Sequence, residues 1–301
     1  MEIPPDAGSA GGNHLYSDYN SQNCALHKTR AWSRAAHGQI PSSAAFCLRT
    51  AVPNRRPEQQ HLGTRSMSGT KSEPITIEVD EAHSVSGLLC VPACARACYL
   101  LAHGAGAGMN HAFQRAVAEE LAQREIATLR YQFPYMERRG RRPDPPRLAH
   151  ATVRAAASQA LRLVPALPLV AGGKSFGGRM TSQVQAASPL PGVRGLIFLG
   201  FPLHPARRPS DERGQHLRDV HVPMLFLQGA RDKLADVDLL ASIVDCLSER
   251  ASLQLFAQAD HSFHVPARSG RTDAEVRREM LDRLAAWIGT LTEEHGCARE
   301  P

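Results

Sequence analysis

From Glu73 onward the chain alternates short apolar runs with longer segments of helical character. Ile75–Val79 and Val85–Val91 read as an opening antiparallel pair. Tyr99–Ala102, Ala127–Tyr131, Leu167–Gly172, Gly195–Leu199, Met224–Gly229 and Ser252–Phe256 all have strand length, and most are continuously apolar. Such runs are expected where helices cover both faces of a sheet. Helices are expected between them. His111–Arg124 carries Phe113, Val117 and Leu121 at four-residue spacing, Pro146–Val164 is rich in Ala and Leu, and Gly177–Ala187 and Val237–Ser248 each follow a strand. In Asp273–Leu291, Val276, Met280, Leu284, Trp287 and Leu291 fall on one face, with Arg277, Arg278, Asp282 and Arg283 opposite. Strand–helix alternation of this kind predicts an α/β domain over residues 73–292 with a mostly parallel sheet.

Residues 1–72 differ. They are rich in Ser, Ala, Asn, Gln and Pro, and no apolar period persists in them. No apolar stretch follows a basic start, which argues against a secretory signal, and no clear amphipathic helix supports an organellar transit peptide. Two readings stand: a disordered extension, or a translation start placed too far upstream with Met67 as the true one, which is preferred. Residues 293–301 are expected to form a flexible tail.

Composition narrows the function. In 301 residues, 43% hydrophobic content supports a large core, yet no run reaches the about 18 apolar residues of a membrane span. The net charge of +6 comes from scattered Arg interleaved with acids, and aromatics are too sparse, at 5%, for a base-stacking platform, so nucleic acid is not expected. Seven cysteines form no regular disulfide framework, and Cys90, Cys94 and Cys98, spaced C-x3-C-x3-C among expected strands, read as small buried or turn thiols rather than a zinc site. Reduced thiols suit a cytoplasmic protein.

The strongest chemical signal is Gly173-Lys174-Ser175-Phe176-Gly177, a G-x-S-x-G string with an apolar strand before it and a helix-compatible segment after it. Those residues suit a sharp strand-to-helix turn that exposes the Ser175 hydroxyl, with small neighbours where strand and helix pass closely. A phosphate-binding G-x-x-x-x-G-K-[ST] loop would need glycine where Pro168 stands, and is excluded. A serine needs a base and the base an orienting acid. Asp232 follows the run Met224–Gly229, and His261 follows Ser252–Phe256, giving the order Ser175, Asp232, His261 at the carboxyl ends of strands. Asp236 or Asp238 compete with Asp232, and His264 with His261. After Tyr99–Ala102 comes His103-Gly104-Ala105-Gly106-Ala107-Gly108, suited to supply an oxyanion-hole amide. Ala105 and Phe176 are the expected amide donors, with Gly106 in reserve. His103 and Lys174 are expected at the substrate, although Lys174 has solvent as its alternative. A dinucleotide fingerprint fails because its third glycine is misplaced and the next strand ends in Arg130-Tyr131-Gln132 without a ribose-binding acid. Arg138, Arg139, Arg141 and Arg142, in the loop Phe133–Arg147, read as a solvated basic loop in preference to one that attracts an anionic substrate.

His103-Gly104-Ala105-Gly106, Gly173–Gly178, Asp232 and Asp260-His261-Ser262-Phe263 resemble the small cap-less α/β-hydrolases near dienelactone hydrolase. The similarity extends to a group that includes a testis-expressed hydrolase-like protein and the third regulatory subunit of the nonspecific lethal acetyltransferase complex. The resemblance implies an α/β-hydrolase fold with an eight-stranded sheet, helices on both faces, no large cap domain, and a Ser175–Asp232–His261 triad. With Ser175 as nucleophile, His261 as base and Asp232 orienting it, the expected reaction is hydrolysis of a small ester, thioester or lactone with no cofactor and no metal. Dienelactone hydrolase uses a cysteine nucleophile where this chain has Ser175, so its substrate does not carry over. Some members of the closer group act in complexes, which leaves room for a protein partner or a non-catalytic scaffold.

Overall fold

A computed structural model describes residues 71–293. The expected extension over 1–72 and tail over 293–301 fall outside these residues, apart from Lys71, Ser72 and Glu293. Eight strands form one sheet: β1 (Glu73–Asp80), β2 (His83–Cys90), β3 (Ala97–Ala102), β4 (Ile126–Tyr131), β5 (Leu169–Lys174), β6 (Val193–Leu199), β7 (Met224–Gly229) and β8 (Ala251–Phe256). Six α-helices accompany them: α1 (Ala112–Ala122), α2 (Pro134–Glu137), α3 (Pro146–Leu163), α4 (Phe176–Ala187), α5 (Val237–Leu247) and α6 (Asp273–Glu293). The expected elements are present with ends moved by a few residues. The short helix α2 inside the basic loop and the 3-10 segment Glu212–Asp219 were not expected.

The strand order is β1-β2-β4-β3-β5-β6-β7-β8. β1 and β2 are antiparallel, as are β2 and β4, and every later pairing is parallel. The sheet separates two apolar cores, and side-chain alternation along each strand assigns residues to them. In the fully buried β3, Cys98, Leu100 and Ala102 enter one core with Val153 and Ala156 of α3 and Met180 and Val184 of α4. Tyr99 and Leu101 enter the other, with Val117 and Leu121 of α1 and Met280 and Leu284 of α6. Burial on both faces is why the central strands read as unbroken apolar runs.

Order along the sheet locates the functional edge. From β3 the chain moves to β4 on one side, then returns to place β5 on the other side of β3. The loops leaving β3 and β5 therefore diverge, and a crevice opens at the carboxyl ends of these two strands. Between β6 and β7 the chain spans Gly200–Pro223 with one 3-10 segment and no inserted cap domain. Among the described residues, no helix is long and apolar enough to cross a membrane.

Cys90 and Cys98 lie buried in β2 and β3, and Cys94 is exposed in the turn between them; Cys94 and Cys98 are free thiols. Cys246, on α5, is disulfide-bonded, which corrects the expectation of a fully reduced set. Among the described residues, no group of three or more His, Cys, Asp or Glu side chains is arranged to hold a metal ion.

Candidate active site

Two glycines shape the turn from β5 into α4. Gly173 has φ +140°, and a Cβ there would overlap the main-chain carbonyl of Ala102. A Cβ on Gly177 would sit 2.6 Å from both Ala102 Cβ and the His103 oxygen. A side chain at Gly173 would push β5 off β3, and one at Gly177 would push α4 off it. Ser175, between them, has φ 50° and ψ −115°, a conformation costing about 1–3 kcal/mol that tertiary contacts must hold. Its N–H donates to Leu199 O at 3.3 Å, fastening the elbow to β6.

Ser175 Oγ lies 2.9 Å from His261 Nε2, and His261 Nδ1 lies 2.6 Å from Asp232 Oδ2. The Asp232 side chain is fully buried. Its Oδ1 accepts from Leu234 N at 2.8 Å and its Oδ2 from Gln228 Nε2 at 2.5 Å. With its acceptors occupied by fixed donors, the carboxylate has one orientation, and that orientation faces His261. The loop carrying His261 is itself shaped by a neighbour: Asp260 Oδ1 accepts from Ser262 N at 2.7 Å and from His264 N at 3.0 Å.

Two of the competing residues, Asp236 and His264, have other work. Asp236 caps α5 by accepting from Asp238 N and Leu239 N, each at 3.1 Å. His264 is exposed and pairs with Asp273 at 2.9 Å, a contact that raises its pKa. Sequence position already favoured Asp232 and His261, and the structure brings those two to Ser175.

Of the expected amide donors, the N–H groups of Ala105 and Phe176 have no hydrogen-bond acceptor among the described residues. Phe176 opens α4, so its N–H has no intrahelical partner either. The loop after β3 lies against the elbow, since a Cβ on Gly104 would be 3.7 Å from Ser175 Cβ. Gly106 N–H, the reserve donor, instead donates to Tyr135 Oη at 2.9 Å. It is a tie to α2.

The two residues expected at the substrate are both held by protein partners. His103 is fully buried; its Nε2 accepts from Phe133 N at 3.1 Å, so Nδ1 carries the proton and donates to Gly104 O at 2.7 Å. Burial lowers its pKa to about 4, which keeps the acceptor nitrogen free. His103 thus braces the glycine loop from beneath. Lys174 is half-buried. Its Nζ donates to the main-chain oxygen of His261 and lies 5.5 Å from the centre of the Phe263 ring. Burial lowers the ammonium's pKa to about 8, against the pull of Asp232 and Asp260. Lys174 therefore ties the end of β5 to the histidine loop.

In the basic loop, Arg138 pairs with the buried Asp144 at 2.8 Å, and Asp144 also accepts from Tyr135 N at 2.8 Å. Arg139, Arg141 and Arg142 accord with a solvated loop: the first two are exposed and so is Arg142. Sequence reading missed Gln228. It is fully buried, donates to Asp232, and accepts from Phe201 N at 2.8 Å. The available signal was a polar residue closing the otherwise apolar run Met224–Leu227.

Solved structures with this architecture include a lid-less α/β serine hydrolase, XC6422 from Xanthomonas campestris. It has 20% identity and a TM-score of 0.58, with 72% of this chain and 95% of that one covered. A dienelactone hydrolase from Anabaena variabilis matches at 21% identity and TM-score 0.57, covering 71% and 96%. The esterase domain of a Rhodothermus marinus protein matches at 17% and 0.56, covering 72% and 97%. At such identities the likeness is one of fold. The sequence of residues 95–289, more than half of the chain, matches the family described as alpha/beta hydrolase domain. With its sheet order, its strained elbow and that match, the chain belongs to the α/β-hydrolase domain family.

Proposed function

We propose that the protein is a serine hydrolase that cleaves a small ester, thioester or lactone through an acyl-Ser175 intermediate. The observation that carries this reading is the continuous contact from Ser175 Oγ through His261 to Asp232, at 2.9 and 2.6 Å. His261 Nε2 takes the Ser175 proton as Oγ bonds to the carbonyl carbon. The bond to the leaving oxygen or sulfur then breaks, and His261 returns the proton to it. A water, deprotonated by His261, adds to the acyl carbon and releases the acid and Ser175. Asp232 holds the imidazole and offsets its charge in both steps. The amides of Ala105 and Phe176 receive the developing oxyanion, an interaction worth about 3–4 kcal/mol in the transition state.

Among α/β-hydrolases, the string Gly173–Gly178 with Asp260-His261-Ser262-Phe263 places the chain, in our reading, nearest the group of the testis-expressed hydrolase-like protein and the nonspecific lethal complex subunit. Because that group includes proteins acting in complexes, the alternative is a scaffold that binds a partner without turnover. A fluorophosphonate probe separates the two. Labelling of the wild type and its loss in Ser175→Ala supports the hydrolase; a folded wild type that takes no label overturns it.

A further inference from the structure

Arg179 lies on the first turn of α4, its main-chain N–H donating to Ser175 O at 3.1 Å. Side chains on an α-helix lean toward its N-terminus. That end of α4 is the edge of the sheet where Ser175 lies, so the guanidinium is carried toward the crevice. It is half-buried, and so is the guanidinium-bearing Arg213 on the neighbouring 3-10 segment. The ion pairs among the described residues include neither. No hydrogen bond from either side chain is present among those residues. Arg124, Arg138, Arg271, Arg277 and Arg283, by contrast, each hold a carboxylate.

The 3-10 segment is pinned to α4 three residues beyond each arginine, at His216 and Ser182. His216 Nε2 lies 2.7 Å from Ser182 Oγ, and Ser182 donates its hydroxyl proton to Arg179 O at 2.9 Å. Nε2 therefore carries the ring proton, and Nδ1 is bare. Burial, then the Arg179 charge, lowers the His216 pKa to about 4, so the ring adds no charge at neutral pH. Burial and then Arg213 likewise disfavour the charged form of Arg179. Two half-buried guanidinium groups near each other, neither of them in an ion pair, are unfavourable in the free protein. An oxyanion between them reverses the sign, because each presents a planar fork of donors to it.

We propose that Arg179 and Arg213 form an anion subsite beside Ser175, so that the substrate carries a carboxylate or phosphate monoester in addition to the bond that is cleaved. The catalytic meaning of this subsite rests on the serine-hydrolase reading above; its ability to bind anions does not.

The test measures protection of the wild type from a fluorophosphonate probe by glutarate, by butyl phosphate and by neutral glutaramide, with the same anions titrated calorimetrically. The expected result is protection by at least one anion and none by glutaramide. Arg179→Gln and Arg213→Gln are each expected to weaken that anion about tenfold or more. Which anion protects identifies the group as carboxylate or phosphate. Labelling without protection by either anion, or protection unchanged in both variants, overturns the subsite. If the folded wild type takes no label, the hydrolase reading fails, and calorimetry alone decides: binding weakened in the variants sustains the subsite, and no binding overturns it. Arg179→Gln removes no hydrogen bond within the described residues and relieves a like-charge contact. It should therefore leave the unfolding temperature unchanged or higher, which separates lost recognition from lost structure.

Discussion

At Asp232, three donors converge on one buried carboxylate: His261 Nδ1, Gln228 Nε2 and Leu234 N. Gln228 is a positioning residue, since it touches Asp232 and not the crevice. Gln228→Leu leaves Phe201 N–H and one lone pair of Asp232 without partners, at a cost of about 1–3 kcal/mol. The expected outcome is a lower urea midpoint together with roughly tenfold slower fluorophosphonate labelling, the equivalent of one hydrogen bond lost from the Asp232–His261 alignment. His103 makes a different prediction. Unfolded, it takes up a proton near pH 6.5; folded, it remains neutral down to about pH 4. The unfolded chain therefore binds more protons in that window, and stability falls as pH drops from 6.5 toward 4, by about 3 kcal/mol at most. Urea denaturation at pH 7, 5.5 and 4.5 measures this slope. His103→Gln should flatten it in part, the remainder belonging to groups such as His216 whose pKa is shifted in the same direction.

At the scale of the element, the strand–elbow–helix unit from Leu169 to Ala187 depends on residues that have no side chain. Gly173→Ala forces a Cβ into the Ala102 carbonyl at a φ of +140°. We expect a loss of about 3 kcal/mol or more, seen as a fall in the thermal midpoint, with labelling lost because β3 and β5 can no longer approach. This unit was legible in the sequence because its demands are local: an apolar strand, small residues two before and two after Ser175, and a helix-compatible segment. α2 was not legible. Four residues opened by Pro134 give no periodicity, and that turn is held by Asp144 reaching back to Tyr135 N. The 3-10 segment Glu212–Asp219 is similar, because its buried residues Gly214 and Leu217 are too few to form a stripe.

At the scale of the molecule, one sheet serves both cores, so neither face can be lost alone. Leu284 is fully buried in the core beneath α6, on the opposite face from α4. Leu284→Ala should lower stability by about 2–5 kcal/mol. On heating, helix loss by circular dichroism and loss of labelling at Ser175 should coincide, although Leu284 and Ser175 belong to different elements. Separate transitions would show that the two cores unfold independently.

The sequence by itself determined the element types, the elbow and the order of Ser175, Asp232 and His261, because periodicity, turn chemistry and chain order are written in neighbouring residues. It also supplied the identity of His103 and Lys174, but not their work. Whether a histidine beside a glycine loop meets substrate or a buried backbone depends on what packs against it. Here Phe133 N and Gly104 O occupy both of its nitrogens. Lys174 precedes the nucleophile by one residue, yet its Nζ is taken by an oxygen 87 residues away. Tertiary structure alone decided such partnerships, together with Gln228 behind Asp232 and His216 against Ser182. Each joins residues distant along the chain, and the energy that selects them, desolvation answered by a particular donor or acceptor, exists only once the two segments are packed.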